Sequence, residues 1–183
     1  MRDTRSDPYR LERFVAAQDG GGTYDRAVAE LRAGAKVSHW MWFVFPQIAG
    51  LGLSAISRQY AIGSLDEARA YLAHPVLGPR LRECARIVAG TRGRSADRIF
   101  GPVDAMKLRS SMTLFAAADS DPADSDPADS EPADREPSGG DRNGGEPSGN
   151  VFRAVLAKYF DGTADEATVS RLLPRHLRAR SAP

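Results

Sequence analysis

The chain holds one cysteine, Cys84, and three histidines set far apart in its 183 residues. A single thiol closes no internal disulfide, and without Cys or His pairs at short spacing the usual zinc ligand sets do not form, so no metal is expected. No apolar run approaches the ~18 residues that span a bilayer, and no basic-then-apolar start precedes a small-residue cleavage site. A reduced, cytoplasmic protein is the expectation. No serine lies in a G-x-S-x-G turn, and Gly50-Leu51-Gly52 lacks the third glycine and the preceding strand of a dinucleotide fingerprint. No cofactor is implied. Alternating apolar and polar residues with hairpin turns are also missing, although Phe43 to Phe45 has strand propensity.

What is present is a succession of helical stripes separated by cap and stop residues. Asp7 and Pro8 can open a helix bearing Leu11, Phe14 and Val15, and Gly20-Gly21-Gly22 ends it. Thr23 is placed to cap a second helix with Ala27, Val28 and Leu31, Ser54 a short one, and Ser64 with Glu67 forms a capping box. Pro75 precedes the stripe Leu77, Leu81, Cys84, Ala85, Val88, in which Cys84 reads as a small core residue. Ser95 opens a short element, and Gly101-Pro102 leads into a longer helix from Asp104 to about Ala118 with Leu108, Met112 and Phe115 inward. Asn150 caps a return helix with Phe152, Val155 and Leu156, and Thr163 with Glu166 reads as a last capping box. The fold class expected is all-α: a compact single domain of roughly seven to nine short helices.

Charge divides the chain unevenly. Residues 119–150 carry ten acidic and two basic side chains, a balance of −8, whereas the rest carries 23 basic and 14 acidic, a balance of +9. The acidic segment repeats DSDPAD with a proline every five residues and little apolar bulk, so it is expected to be disordered. The organisation expected is a helical domain over 8–118, an acidic insert over 119–150, the domain's C-terminal helices over 151–174 and a basic tail over 175–183. The positive remainder favours anionic partners. Arg171, Arg175, Arg178 and Arg180 lack aromatic interleaving and read as a solubilising tail, which gives nucleic acid only weak support.

The densest stretch is KVSHWMWFVFPQIAGLGLSAIS, from Lys36 to Ser57. With Ser38 as cap and Pro46 as stop it reads as a two-turn, buried central helix. On that helix His39, Trp42, Phe43 and Pro46 share one face, and Trp40 and Val44 another. His39 has the titration range of a general base, Trp40 or Trp42 would stack a base, and Gln47 would orient a polar ligand. Ser54, Ser57 and Tyr60 recur at a spacing of three on the next helix. A second constellation lies on the helix from Asp104, where Asp104, Lys107, Ser110 and Ser111 follow one face and Arg109 another. Lys107 and Arg109 would neutralise a phosphate, with Asp104 or His39 as acid/base candidates. The bland alternative for each is a core histidine, and a helix whose lysine pairs with Asp104 at i+3.

Together these segments suggest a pocket between the His39 and Lys107 helices for a small anionic metabolite bearing phosphate, such as a nucleotide or ADP-ribose derivative. If a reaction follows, hydrolysis of a glycosidic or phosphoester bond fits better than redox chemistry. The competing reading is a non-enzymatic interaction module for a protein or nucleic acid, screened by the acidic insert.

Four stretches also carry a family likeness: YRLERFVAAQ; AELRAGAKVSHWMWFVFPQIAGLGLS; SLDEARAYLAHPVLGPRLRE with IFGPVDAMKLRSSMTLF; and FRAVLAKYFDG with DEATVSRLL. In these the chain resembles the bacterial domain-of-unknown-function-1810 family, some of whose members are labelled calpastatin. The resemblance implies a compact, mostly helical domain and no established activity. Calpastatin works through disordered segments, whereas this chain is patterned for a packed core. Relatives read Pro-Asp-Asp where this chain has Val103, Asp104 and Ala105, so the resemblance assigns no role to a paired carboxylate. The helix order is also similar to domains that process ADP-ribose derivatives, a likeness of fold alone.

Overall fold

The computed structural model describes residues 7–120 and 150–173; the acidic repeat and the arginines beyond 173 lie outside them. Asp7 opens the fold with its side chain, Oδ1 accepting from Leu11 N at 2.7 Å and Oδ2 from Glu12 N at 3.1 Å. The helices are α1 (Glu12–Asp19), α2 (Thr23–Arg32), α3 (Met41–Val44), α4 (Ala55–Gln59), α5 (Leu65–Ala73), α6 (Leu77–Gly90), α7 (Ala96–Phe100), α8 (Pro102–Ala118), α9 (Val151–Phe160) and α10 (Glu166–Leu172). A 3-10 turn over Gly20–Gly22 joins the first two. The expected all-α class holds, and among the described residues the only sheet-like pairing is a single parallel bridge between Ile48 and Ile62. No described helix is long and apolar enough to cross a membrane.

Several helix starts follow the sequence closely. Ser54, Ser95 and Asn150 cap α4, α7 and α9, their side chains accepting from backbone N–H groups two or three residues on. Ser64 accepts from Glu67 N at 3.1 Å, but the Glu67 carboxylate turns to Gly63 N and to Arg13 instead of completing the box. Two assignments are corrected. Thr23 is the first residue of α2, behind left-handed Gly22, and its hydroxyl donates back to Gly20 O. Asp165, not Thr163, caps α10, because its carboxylate accepts from Thr168 N and also from the Thr168 hydroxyl.

The centre of the fold is α8, not the stretch around the tryptophans. Ten of its residues are buried, and it packs against α5, α7, α9 and α10. A helix enclosed by neighbours needs apolar side chains around most of its circumference, as this one has. Rings run through the core beside it, Phe14 to Tyr71 at 5.1 Å, Tyr71 to Phe115 at 5.3 Å and Phe115 to Phe152 at 5.8 Å. Cys84 is buried in the same core, as expected of a small core residue, and burial pushes its thiol up to about 12.

Candidate functional site

The segment from Lys36 to Trp40 is a loop, and α3 is one turn long. The cause is Glu30, near the end of α2. Its carboxylate accepts from Val37 N at 2.8 Å, Ser38 N at 3.0 Å, the Ser38 hydroxyl at 2.5 Å and Trp40 Nε1 at 2.8 Å. Ser38 is thereby consumed and cannot cap a helix. Burial acts to raise the Glu30 pKa, but these four donors outweigh it and hold the group at about 2. Lys36 N donates to Ile99 O at 2.7 Å, fastening the other end of the loop to α7.

The two tryptophans consequently part ways. Trp40 is fully buried against Phe45 and Phe100. Trp42 is half-buried, and Lys107 Nζ sits 4.7 Å from its ring centroid. Lys36 Nζ lies 5.2 Å over the Trp40 ring. Asp104 ties the two lysines together, Oδ1 accepting from Lys107 at 2.8 Å and Oδ2 from Lys36 at 2.7 Å. Burial would raise the Asp104 pKa, but the hydrogen bonds and charges of Lys107 and Lys36 more than offset it, and the carboxyl lies below its ordinary value. A carboxylate held in this way is a poor proton donor near neutrality.

A cavity of about 350 Å³ opens beside Trp42. Its walls include Gln47, Ser57, Arg58 and Tyr60, and the Gly50–Leu53 turn forms its lip. The floor is the paired backbone around the Ile48–Ile62 bridge, where Ala49 N donates to Ile62 O and Ile62 N to Gln47 O. Arg13 braces the wall, donating from Nε to Gln59 O, from Nη2 to Ala61 O and to Glu67 at 2.6 Å. Tyr60 packs on Phe43 at 5.3 Å and Phe14 at 5.8 Å. Ser54 caps α4, and the Ser57 hydroxyl donates to Ser54 O at 2.8 Å. A Cβ on Gly52 would stand 2.4 Å from Ser57 Cβ, so the lip reaches α4 only because residue 52 is glycine. At Gly50, with φ +90°, the Arg171 guanidinium donates to the carbonyl at 2.9 Å.

Trp42, Gln47, Ser57 and Tyr60 are thus brought to one cavity, with Lys107 behind Trp42 and Ser54 at the base of α4. Other residues read as candidates lie elsewhere. His39 is exposed on the loop, off the cavity wall, because the helix expected to turn it inward does not form. Trp40 is sealed in the core. Arg109 donates to Thr163 O at 3.0 Å and Ala164 O at 2.9 Å, and the Ser110 hydroxyl meets Thr168 Oγ1 at 2.7 Å, so both hold α10 against α8. Ser111 Oγ is enclosed and has no hydrogen-bond partner among the described residues. The face that Asp104 and Lys107 begin is covered further along by the returning chain. Arg58 was missed; its place in the last turn of the helix that Ser54 opens was the available signal.

The geometry defines a helical protein with a small mixed aromatic and polar cavity held on a loop-and-short-helix lip beside its long central helix. The chain belongs to the family described as protein of unknown function (DUF1810), whose model matches residues 8–127. Its fold is similar to the crystal structure of the conserved hypothetical protein Rv1873 from Mycobacterium tuberculosis, with 46% sequence identity and a TM-score of 0.72 over 91% of this chain and 98% of that one. Comparison with curated proteins gives no match.

Proposed function

We propose that the cavity beside Trp42 binds a small anionic metabolite that carries a planar ring and phosphate, of the nucleotide class. The observation supporting this reading is the composition of one wall: two aromatic rings, Trp42 and Tyr60, stand with the amide of Gln47, the hydroxyl of Ser57 and the guanidinium of Arg58, and no carboxylate is among the lining residues described. Aromatic faces take a planar ring, and a guanidinium in a wall without acids selects an anion. Binding is proposed rather than hydrolysis, because neither His39 nor Asp104 lines the cavity.

A thermal-shift screen of nucleosides, nucleotides and sugar phosphates tests the reading, since a ligand at about 100 times its Kd stabilises the native state by ~2.7 kcal/mol. Nucleotides are expected to raise the melting temperature of the full chain and to leave that of Trp42→Ala unmoved. An unchanged melting temperature across the whole screen overturns the proposal.

A further inference from the structure

Resting on that reading, we infer that the site takes a ligand through a single oxyanion group, a phosphate monoester or a carboxylate, and gains no affinity from a second or third phosphate or from the second half of an ADP-ribose derivative. The inference comes from where the cations beside the cavity are engaged. Arg58 is the one charged side chain among the lining residues described. It donates from Nη1 to Leu53 O, and a guanidinium has five N–H groups, so the fork can still engage an oxyanion in the cavity.

The neighbouring cations are committed. Arg171 donates to Ala167 O and Gly50 O, each at 2.9 Å, and serves to hold the lip. Lys107 is bonded to Asp104 at 2.8 Å, and the same carboxylate binds Lys36 at 2.7 Å. Lys107 moreover faces the Trp42 ring. One guanidinium matches one phosphate monoester or carboxylate bidentately. A second phosphate would find no cation on the wall and would stay in water.

Volume points the same way. About 350 Å³ is close to the lower end of the range of roughly 300–1,000 Å³ for small-molecule sites. Trp42 and Tyr60 are the two aromatic walls, enough to hold one ring system between or against them. A dinucleotide-like ligand, with a second ring beyond a diphosphate, exceeds both the space and the charge available.

Calorimetric titration of the full chain with adenosine, AMP, ADP, ATP and ADP-ribose, and with uridine and its phosphates, reads this directly. The monophosphate of at least one series is expected to bind about tenfold or more tighter than its nucleoside, the value of a charge-assisted hydrogen bond. The diphosphate and triphosphate should gain nothing further. Arg58→Gln should bring the monophosphate down to the nucleoside's affinity while leaving the nucleoside's own unchanged, and Arg58→Lys should fall between. Arg58 is exposed, so both variants are expected to keep the parent melting temperature. Adenosine 5′-carboxylate, compared with AMP, tells which oxyanion is preferred. Tighter binding of ADP, ATP or ADP-ribose than of AMP, equal binding of nucleoside and monophosphate, or an unaltered Arg58→Gln profile overturns the inference while leaving the site intact. Failure of every compound to bind overturns the site as well.

Discussion

Trp40 and Trp42 stand two residues apart on the same short turn and have opposite surroundings. Trp40 is enclosed, its indole N–H satisfied by Glu30 and its ring packed on Phe45 and Phe100. Trp42 is half-buried, covered by the Lys107 ammonium on the ring and bordering a cavity. An indole whose donor is satisfied inside the protein stabilises the fold; one left at the edge of a hollow offers surface to something else. Glu30 marks the division: its carboxylate holds the chain from Val37 to Trp40 at the end of α2, and Trp42 lies beyond that hold, in the single turn of α3.

Substitution at the enclosed member should have the largest effect. Trp40→Ala leaves a core cavity and strips Glu30 of a donor, and is expected to cost about 4 kcal/mol of stability in urea unfolding. A loss below about 2 kcal/mol would mean that Trp40 is not packed as described. Next comes Arg13, which braces the wall on the Trp42 side. Its ion pair with Glu67 is largely buried, the side chains being 18% and 9% exposed, and both partners also hold backbone groups. Arg13→Ala should cost about 3 kcal/mol, because it strands the Glu67 carboxylate. The melting temperature should fall correspondingly, and ligand binding should weaken as the 59–61 segment loosens.

Acid sharpens the comparison from the other side. Glu30 is held at about 2 in the folded protein against an ordinary 4.5. A carboxylate whose pKa is lowered by folding adds stability above its unfolded value, and that stability disappears as pH falls through the folded value. The contribution is therefore complete above about 4.5 and lost progressively down to about 2. Glu30→Gln keeps an acceptor but no charge, and should cost about 1–2 kcal/mol at neutral pH. The gap between parent and variant should narrow over that acid window. A gap constant down to pH 2 would show that the charge of Glu30 does not fasten the loop.

The pattern of legibility in the sequence follows from what is local. Ser54, Ser95 and Asn150 could be read as caps because a cap acts within three residues, and the inward stripe of α6 because helical spacing is periodic. The expected pocket between the Trp42 segment and the Lys107 helix is a different matter: Lys107 reaches the Trp42 ring, but it is bonded to Asp104 and is not among the residues that line the cavity. What failed depended on distant partners. Ser38 looks like a cap until Glu30, eight residues upstream, takes its hydroxyl and N–H. Arg109 and Ser110 look like an anion site until α10 returns over them. Arg13 reaches Glu67 across 54 positions, and no periodicity reveals which acid a given arginine will find.

A comparably small effect on stability belongs to the half-buried partner. Trp42→Ala removes a half-buried ring and one cation–π contact with Lys107, a change expected to cost about 1–2 kcal/mol. The same substitution should abolish nucleotide binding, which Trp40→Ala cannot test cleanly because it weakens the fold that carries the cavity. Trp42→Phe retains an aromatic face and should recover part of the affinity. If Trp42→Ala bound ligand as tightly as the parent, Tyr60 and Arg58 alone would define the site, and the contrast between the two indoles would concern stability only.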